Sequence, residues 1–303
     1  MKHLRSVVAV WTFPGLLAVS LAIVGFGLHA GRDPLMLVTA VLVGAAGLLL
    51  LLQRIHPAVP AWRSWRPQMG LDLAHAWISS LGSTVATRAV VLGGGLALAH
   101  RMQESGVSPW PGHWPLMLQL PIAVVLSDLF AYWLHRLSHQ WEPLWRLHAL
   151  HHSSEQLYVL SSGRNHPVHT ALTSLLQIVP LALLGAGPEV LALHGAFTGI
   201  VGLLQHTNVA MRHGPLSWVF ATADLHRWHH SAIEAESKTN FGDNITLWDH
   251  LFGTFYLPAD RSPPAAVGID GLKFPRHLGL HLASPFILNR FQVSEPEPAL
   301  QTE

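Results

Sequence analysis

The chain has 303 residues, 50% of them hydrophobic and only 12% charged, with a formal net charge of +1 at neutral pH. A soluble domain carries about 25% charged residues, so half that level, with a mean hydropathy of +0.33, points to lipid as part of the solvent. The near-neutral balance and the lack of a basic run exclude the footprint of a nucleic-acid partner, and the complete lack of cysteine excludes disulfides, thiolate nucleophiles and cysteine-held metals.

From Val7 to Ala30 there is no acidic or basic residue except His29, and Lys2, Arg5 and Arg32 flank the run. At 1.5 Å per residue it crosses the roughly 30 Å hydrocarbon layer, which predicts a first transmembrane helix. A cleaved signal peptide is disfavoured because "GLHAGRD" has no small-x-small cleavage pattern and a second apolar run, Leu35 to Leu52, follows at once. A Pro/Trp/Arg-rich loop through Pro67 separates this from a third apolar region, Leu71 to Ala99. Asp72, His75 and Arg88 interrupt that region, which reads as one long tilted helix or two short pieces. A fourth, Trp114 to Leu134, runs on into "HRLSH" as one helix leaving the membrane with histidines on it. Val168 to Leu184 and Val190 to Leu204, split by "GAGP", predict a helical hairpin whose arms are short enough to be re-entrant.

The chain is thus expected to be all-α: a multi-span helical integral membrane protein with a cytoplasmic, histidine-rich metal-binding cap. Residues 1–113 form a transmembrane region of about three spans. Residues 114–258 carry the histidine clusters and the hairpin, and 259–303 form a C-terminal extension whose end, "QVSEPEPALQTE", is expected to be disordered. Lys2, Arg5, Arg54, Arg63 and Arg66 place the amino terminus and the loop after span two in the cytoplasm. Four spans and a returning hairpin then put every histidine cluster on that same side.

Histidine occurs 22 times, more often than lysine and arginine together at 18. "HRLSH" supplies His135 and His139, "HALHH" supplies His148, His151 and His152, and "HRWHH" supplies His226, His229 and His230. Each spacing puts its members on one helical face. Eight imidazoles from three segments can converge on two metal ions, and metal coordination offsets the several kcal/mol that burying so many polar rings costs. Imidazole suits Fe, Zn, Cu and Ni alike, so ligand type alone does not name the metal. His206 in "QHTN" and His166 in "RNHP" stand at the two ends of the apolar hairpin as further ligands. Asp128, seven residues before His135, is placed to accept a proton from a ligand's other ring nitrogen, and Asn208 stands beside His206. Isolated His169, His194, His213 and His250 read as packing or surface residues. Trp133, Trp145, Trp228 and Trp248 beside the motifs read as walls of a pocket or as interfacial anchors.

"DLFAYWLHRLSH", "HALHHSSE", "RNHP", "QHTN", "DLHRWHHS" and "TNFGDNITLWDHLFGTF", in that order, resemble the fatty acid hydroxylase/sterol desaturase superfamily over roughly Leu120 to Pro258. The resemblance implies an enzyme whose two iron ions lie just outside the bilayer, activating O2 to hydroxylate or desaturate a lipid: sterol, hopanoid, fatty acyl chain, ether lipid or carotenoid. Carried over, its ligands fall on His135, His139, His148, His151, His152, His226, His229 and His230, with His206 a ninth and His166 at a position of less certain coordination. Its closing motif falls on Asn240, Phe241, Gly242, Trp248, Asp249 and Gly253, with Asn240 and Asp249 in supporting roles. No cytochrome b5 domain is fused here, so electrons are expected from a separate donor, a cytochrome b5-like, ferredoxin or flavodoxin system. Redox-inert zinc cannot supply this chemistry although it can replace iron in purified protein, whereas iron can cycle. The alternative from another class is a membrane metal transporter or sensor, which would place ligands within the spans. A zinc hydrolase is disfavoured because no HExxH is present.

Overall fold

The computed structural model describes residues 2–63, 66–90, 101, 104, 106 and 109–293. Among them the regular elements are helical, and β pairing is confined to isolated bridges such as Phe220 with Ile245. The long helices are α1 (Lys2–His29), α2 (Pro34–Ile55), α3 (Arg66–Val90), α4 (Leu116–Ser138), α5 (Glu142–His152), α6 (Pro167–Leu183) and α7 (Pro188–His206). Shorter ones follow: α8 (Ala223–His229), α9 (Glu234–Ser237), α10 (Leu247–Phe252) and α11 (Leu278–Ile287).

Three of the described helices, α1, α2 and α4, are long and apolar enough to cross a membrane. Their outward faces carry large apolar side chains such as Phe26, Met36 and Val43, exposed by 76%, 73% and 68%, a surface that suits lipid and that water disfavours. Asp33 starts α2 by accepting the Met36 N–H at 2.8 Å, with Pro34 in the first turn. Inward, Phe13, Val24, Leu49, Ile200 and Leu204 form one core in which α1 and α2 pack on α7.

Of the third apolar region, expected as one long tilted helix or two short pieces, the described part is the single helix α3, which is not among the three apolar helices. Two of its polar residues, Asp72 and His75, are buried. Asp72 is fully buried, accepting from Arg164 Nε at 2.6 Å and from the Tyr158 hydroxyl. His75 Nε2 lies 3.0 Å from His281 Nδ1 on α11. The remainder of that region, 91–99, lies outside the described residues, as does the tail from Ser294 on. Helix α3 runs so close to the 159–163 turn that a Cβ on Gly163 would sit 2.5 Å from that of Ala76.

The two helices expected on either side of "GAGP" are present: α6 ends at Leu183, Gly185 takes φ of 95° in the turn, Pro188 opens α7, and both helices pack on α4. The extension after residue 258 packs back on α5, with Leu288 and Phe291 against Ala149.

Candidate metal centre

Four helix ends build the site. Helix α4 delivers His135 in its last turn and His139 at its C-cap, and α5 carries His148, His151 and His152. Helix α7 ends on His206, and α8 carries His226 and His229 with His230 as its C-cap. The nine rings form two groups, His135, His139, His148, His152 and His229 in one and His151, His206, His226 and His230 in the other. Within each group the ligand atoms lie within 4.8 Å of one another. The HxxHH segments do not each fall in one group. "HALHH" sends His148 and His152 to the first group and His151 to the second, while "HRWHH" sends His229 to the first and His226 and His230 to the second. The groups therefore abut, with the His152 and His230 rings stacked at 4.3 Å.

The backbone sets the tautomers. His135 Nδ1 donates to the Phe241 carbonyl at 2.9 Å, His229 Nδ1 to Thr239 at 2.8 Å, His151 Nδ1 to Arg164 at 3.3 Å and His206 Nδ1 to Gly202 at 3.1 Å. A carbonyl only accepts, so each of these rings carries its proton on Nδ1 and presents a bare lone pair on Nε2. His151 Nε2 and His206 Nε2 then face each other at 3.3 Å with no proton between them. His226 and His230 close the set, with Nε2 to Nε2 separations of 3.0–3.2 Å to their neighbours. An ion held by bonds of about 2.0–2.1 Å puts its imidazole nitrogens roughly 3.0–3.4 Å apart, so these spacings suit ligands sharing one ion. In the first group His135, His139 and His229 each leave a buried Nε2 without a protein partner. Burial first, and neighbouring imidazoles second, push His139, His148, His152, His226 and His230 well below the ordinary histidine range. The rings are neutral donors, the form a metal requires. The residues present fit two metal ions.

A model of the fatty acid hydroxylase family matches residues 120–254. Over 288 residues, 94% of this chain and 86% of the relative, the sequence is 35% identical to the ornithine lipid hydroxylase OlsE of Rhizobium tropici. The chain belongs to the fatty acid hydroxylase family. Other family relatives are matched over part of their length. Alkylglycerol monooxygenase of Homo sapiens is 34% identical over 147 residues, 48% of this chain and 32% of that protein. A Delta(7)-sterol 5(6)-desaturase of Leptosphaeria maculans is 27% identical over 151 residues, 50% of this chain and 40% of that protein. These relatives are lipid hydroxylases, monooxygenases and desaturases, and they support a lipid oxygenase. No solved structure matches.

Other residues singled out in the sequence fall into different roles in this family member. His166 joins neither group: it caps α6 by accepting the Val168 N–H on Nδ1 at 3.3 Å and donates from Nε2 to the Leu282 carbonyl at 3.1 Å, which leaves no lone pair for a metal. Asp128 meets no ligand ring; it accepts the backbone N–H and the side-chain amide of Asn244 at 2.7 and 2.9 Å. Asn208 is likewise away from the ligands, exchanging hydrogen bonds with Val59. Asp249 does support a ligand, at one remove. It accepts the Phe241 and Gly242 N–H groups at 2.7 and 2.9 Å and so fixes the carbonyl that His135 uses. Asn240, at φ of 53°, turns the chain into this loop and ties it to Leu225 and Tyr256. His194 and His213 are buried in hydrogen bonds to Ser127 and Asp224, and His250 stacks on Trp218. His169 packs 4.6 Å from the His148 ring and bonds Ser138.

A cavity of about 550 Å³ reaches the histidines from between α2, α3, α6 and α7, and it touches both groups through His135, His148, His151, His206 and His226. Sequence reading missed two of its residues, Gln177 and Asp243. Asp243 stands inside "FGDN", beside the motif glycine, and that position was the available signal.

Proposed function

We propose that this chain is a multi-pass membrane lipid hydroxylase. It uses two iron ions held by the nine histidines, O2, and two electrons from a separate donor of the cytochrome b5, ferredoxin or flavodoxin type. The observation that carries this reading is the pair of bare imidazole sets, above all His151 and His206 with lone pairs facing across 3.3 Å. Iron bound there would supply activation of O2; a C–H bond, O2, two electrons and two protons balance to one alcohol and one water. Catalysis rather than metal transit is supported by the relatives, all named as lipid-modifying oxidoreductases. Hydroxylation rather than desaturation is supported by the near-full-length relative, named for hydroxylating ornithine lipids, and such a lipid is the substrate proposed here. The positive flanks of α1 and α2 support a cytoplasmic site.

The protein's own part is binding, orientation and exclusion of water. The Phe241, Thr239, Arg164 and Gly202 carbonyls hold four rings in one tautomer each. The cavity admits a lipid sideways past Leu42, Val43 and Ala46 of α2 and brings it against the rings, so that positioning decides which carbon is oxidised.

The test is iron-loaded protein in detergent with reductant, ornithine lipid and isotopically labelled O2. One labelled oxygen per product lipid and two irons per chain are expected. No labelled product from protein that holds two irons, or fewer than one iron per chain after anaerobic loading, overturns the reading.

A further inference from the structure

The loop that closes the site presents one carboxylate to the cavity. Asp249 accepts from the Phe241 and Gly242 N–H groups, and Asp128 accepts from the Asn244 N–H at 2.7 Å, with the Ile245 N–H at 3.5 Å. Asp243, between these two clamped dipeptides, lines the cavity. Its backbone is tied towards both metal groups. Two residues before it, the Phe241 carbonyl holds His135, and its own carbonyl accepts from Gln205, the neighbour of His206, at 2.6 Å. Its Oδ2 takes the Gln177 amide at 2.6 Å and lies 3.5 Å from Asn244 Nδ2, while its Oδ1 has no hydrogen-bond donor among the described residues.

Among the described residues lining this cavity Asp243 is the sole acidic side chain, and there is no lysine or arginine. Burial, which pushes its carboxyl up, goes uncompensated by any cation of the protein. Hydroxyl and amide side chains, Ser79, Thr173, Ser174 and Asn165, share the wall. An acyl chain has no use for a half-buried carboxylate, whose desolvation costs free energy unless a partner arrives. A cationic group has such a use.

We propose that Asp243 is the receptor for an ammonium group on the lipid headgroup, so that the headgroup and not the acyl chain lies against the histidines. The inference rests on the lipid-hydroxylase reading above and specifies which end of the lipid is oxidised. A site of this volume takes a molecule of drug size, about 300–1,000 Å³, which accommodates a headgroup and the first methylenes. The chains then leave past Leu42, Val43 and Ala46 into the bilayer.

The experiment compares an ornithine lipid bearing its free side-chain amine with the same lipid N-acetylated, using wild type, Asp243→Asn and Asp243→Glu. Wild type is expected to prefer the amine by about 100-fold in kcat/KM, the range for a buried charge pair losing one partner. Asp243→Asn is expected to lower turnover of the amine lipid by a similar factor and reduce the preference to a few-fold with metal content unchanged, while Asp243→Glu keeps part of it. Fragmentation of the product is expected to place the new oxygen in the headgroup. Equal use of both lipids by wild type, an undiminished preference in Asp243→Asn, or oxygen in the acyl fragment overturns the proposal. If Asp243→Asn does not fold, the wild-type lipid pair and the fragmentation decide alone. If no lipid is oxidised, the hydroxylase reading is what fails; tighter binding of the amine lipid to wild type but not to Asp243→Asn then supports Asp243, and equal binding rejects it.

Discussion

At the scale of single residues, what separates a ligand from a structural histidine is where its protons and lone pairs go. His229 donates from Nδ1 to the Thr239 carbonyl and leaves Nε2 buried without a partner, whereas His166 uses both nitrogens on the Val168 N–H and the Leu282 carbonyl. His229→Ala is therefore expected to lose metal from the five-histidine group. His166→Ala is expected to keep the wild-type metal content and lose about 1–2 kcal/mol of stability from the missing cap and the stranded carbonyl. Elemental analysis beside thermal melting separates the two; equal metal loss in both would overturn the distinction. Gly242 is a second test at this scale. A Cβ there would lie 2.2 Å from the Ile245 carbonyl oxygen and 2.7 Å from Asp249 Oδ2, and neither a backbone carbonyl nor a clamping carboxylate can withdraw freely. Gly242→Ala is expected to cost about 1–3 kcal/mol and to weaken metal retention through His135, whose Nδ1 partner is in the same loop; unchanged melting and metal content would show that the loop yields without cost.

Between elements, the contact that matters most lies outside the histidine motifs. Asp72 of α3 and Arg164 form a fully enclosed ion pair at 2.6 Å, and the carbonyl of Arg164 orients His151. Asp72→Asn strands a buried guanidinium, for which about 3 kcal/mol of destabilisation is expected, with weaker metal binding in the four-histidine group. Melting and metal titration check this, and a variant melting like wild type would show the pair to be dispensable. Sequence reading left the bounds of the third apolar region open because hydropathy reports polarity but not where it points. Asp72 and His75 face partners some 90 to 200 positions away, Arg164 and His281, and no local pattern reveals such pairing. The hairpin and the motif helices were legible because breakers and period-3.6 spacing are local signals. The split of each HxxHH between two groups was not: spacing puts three rings on one face, but only the arrival of α4 and α7 decides which neighbour each ring meets.

For the whole molecule, the decisive property is that histidines from four helix ends are gathered neutral in a water-poor interior. His139, His148, His151, His152, His226, His229 and His230 are all held well below the ordinary histidine range, by burial first and by neighbouring imidazoles second. In the unfolded chain the same side chains titrate near 6.5. Below that pH the unfolded state takes up protons that the folded state refuses, so stability is full above about pH 6.5 and falls as the solution is acidified. Each such histidine contributes a slope of about 1.4 kcal/mol per pH unit once its unfolded form is protonated. Protons also compete with metal for Nε2, so bound ions act in the same direction. The expected outcome is a melting temperature that drops steeply between pH 7 and pH 5, together with release of metal. Chelated protein should show the same direction of change, because burial alone depresses the rings. A melting temperature flat from pH 8 to pH 5, with or without metal, would mean that the rings are solvated in the folded protein, and the two-centre arrangement on which the proposed chemistry depends could not stand.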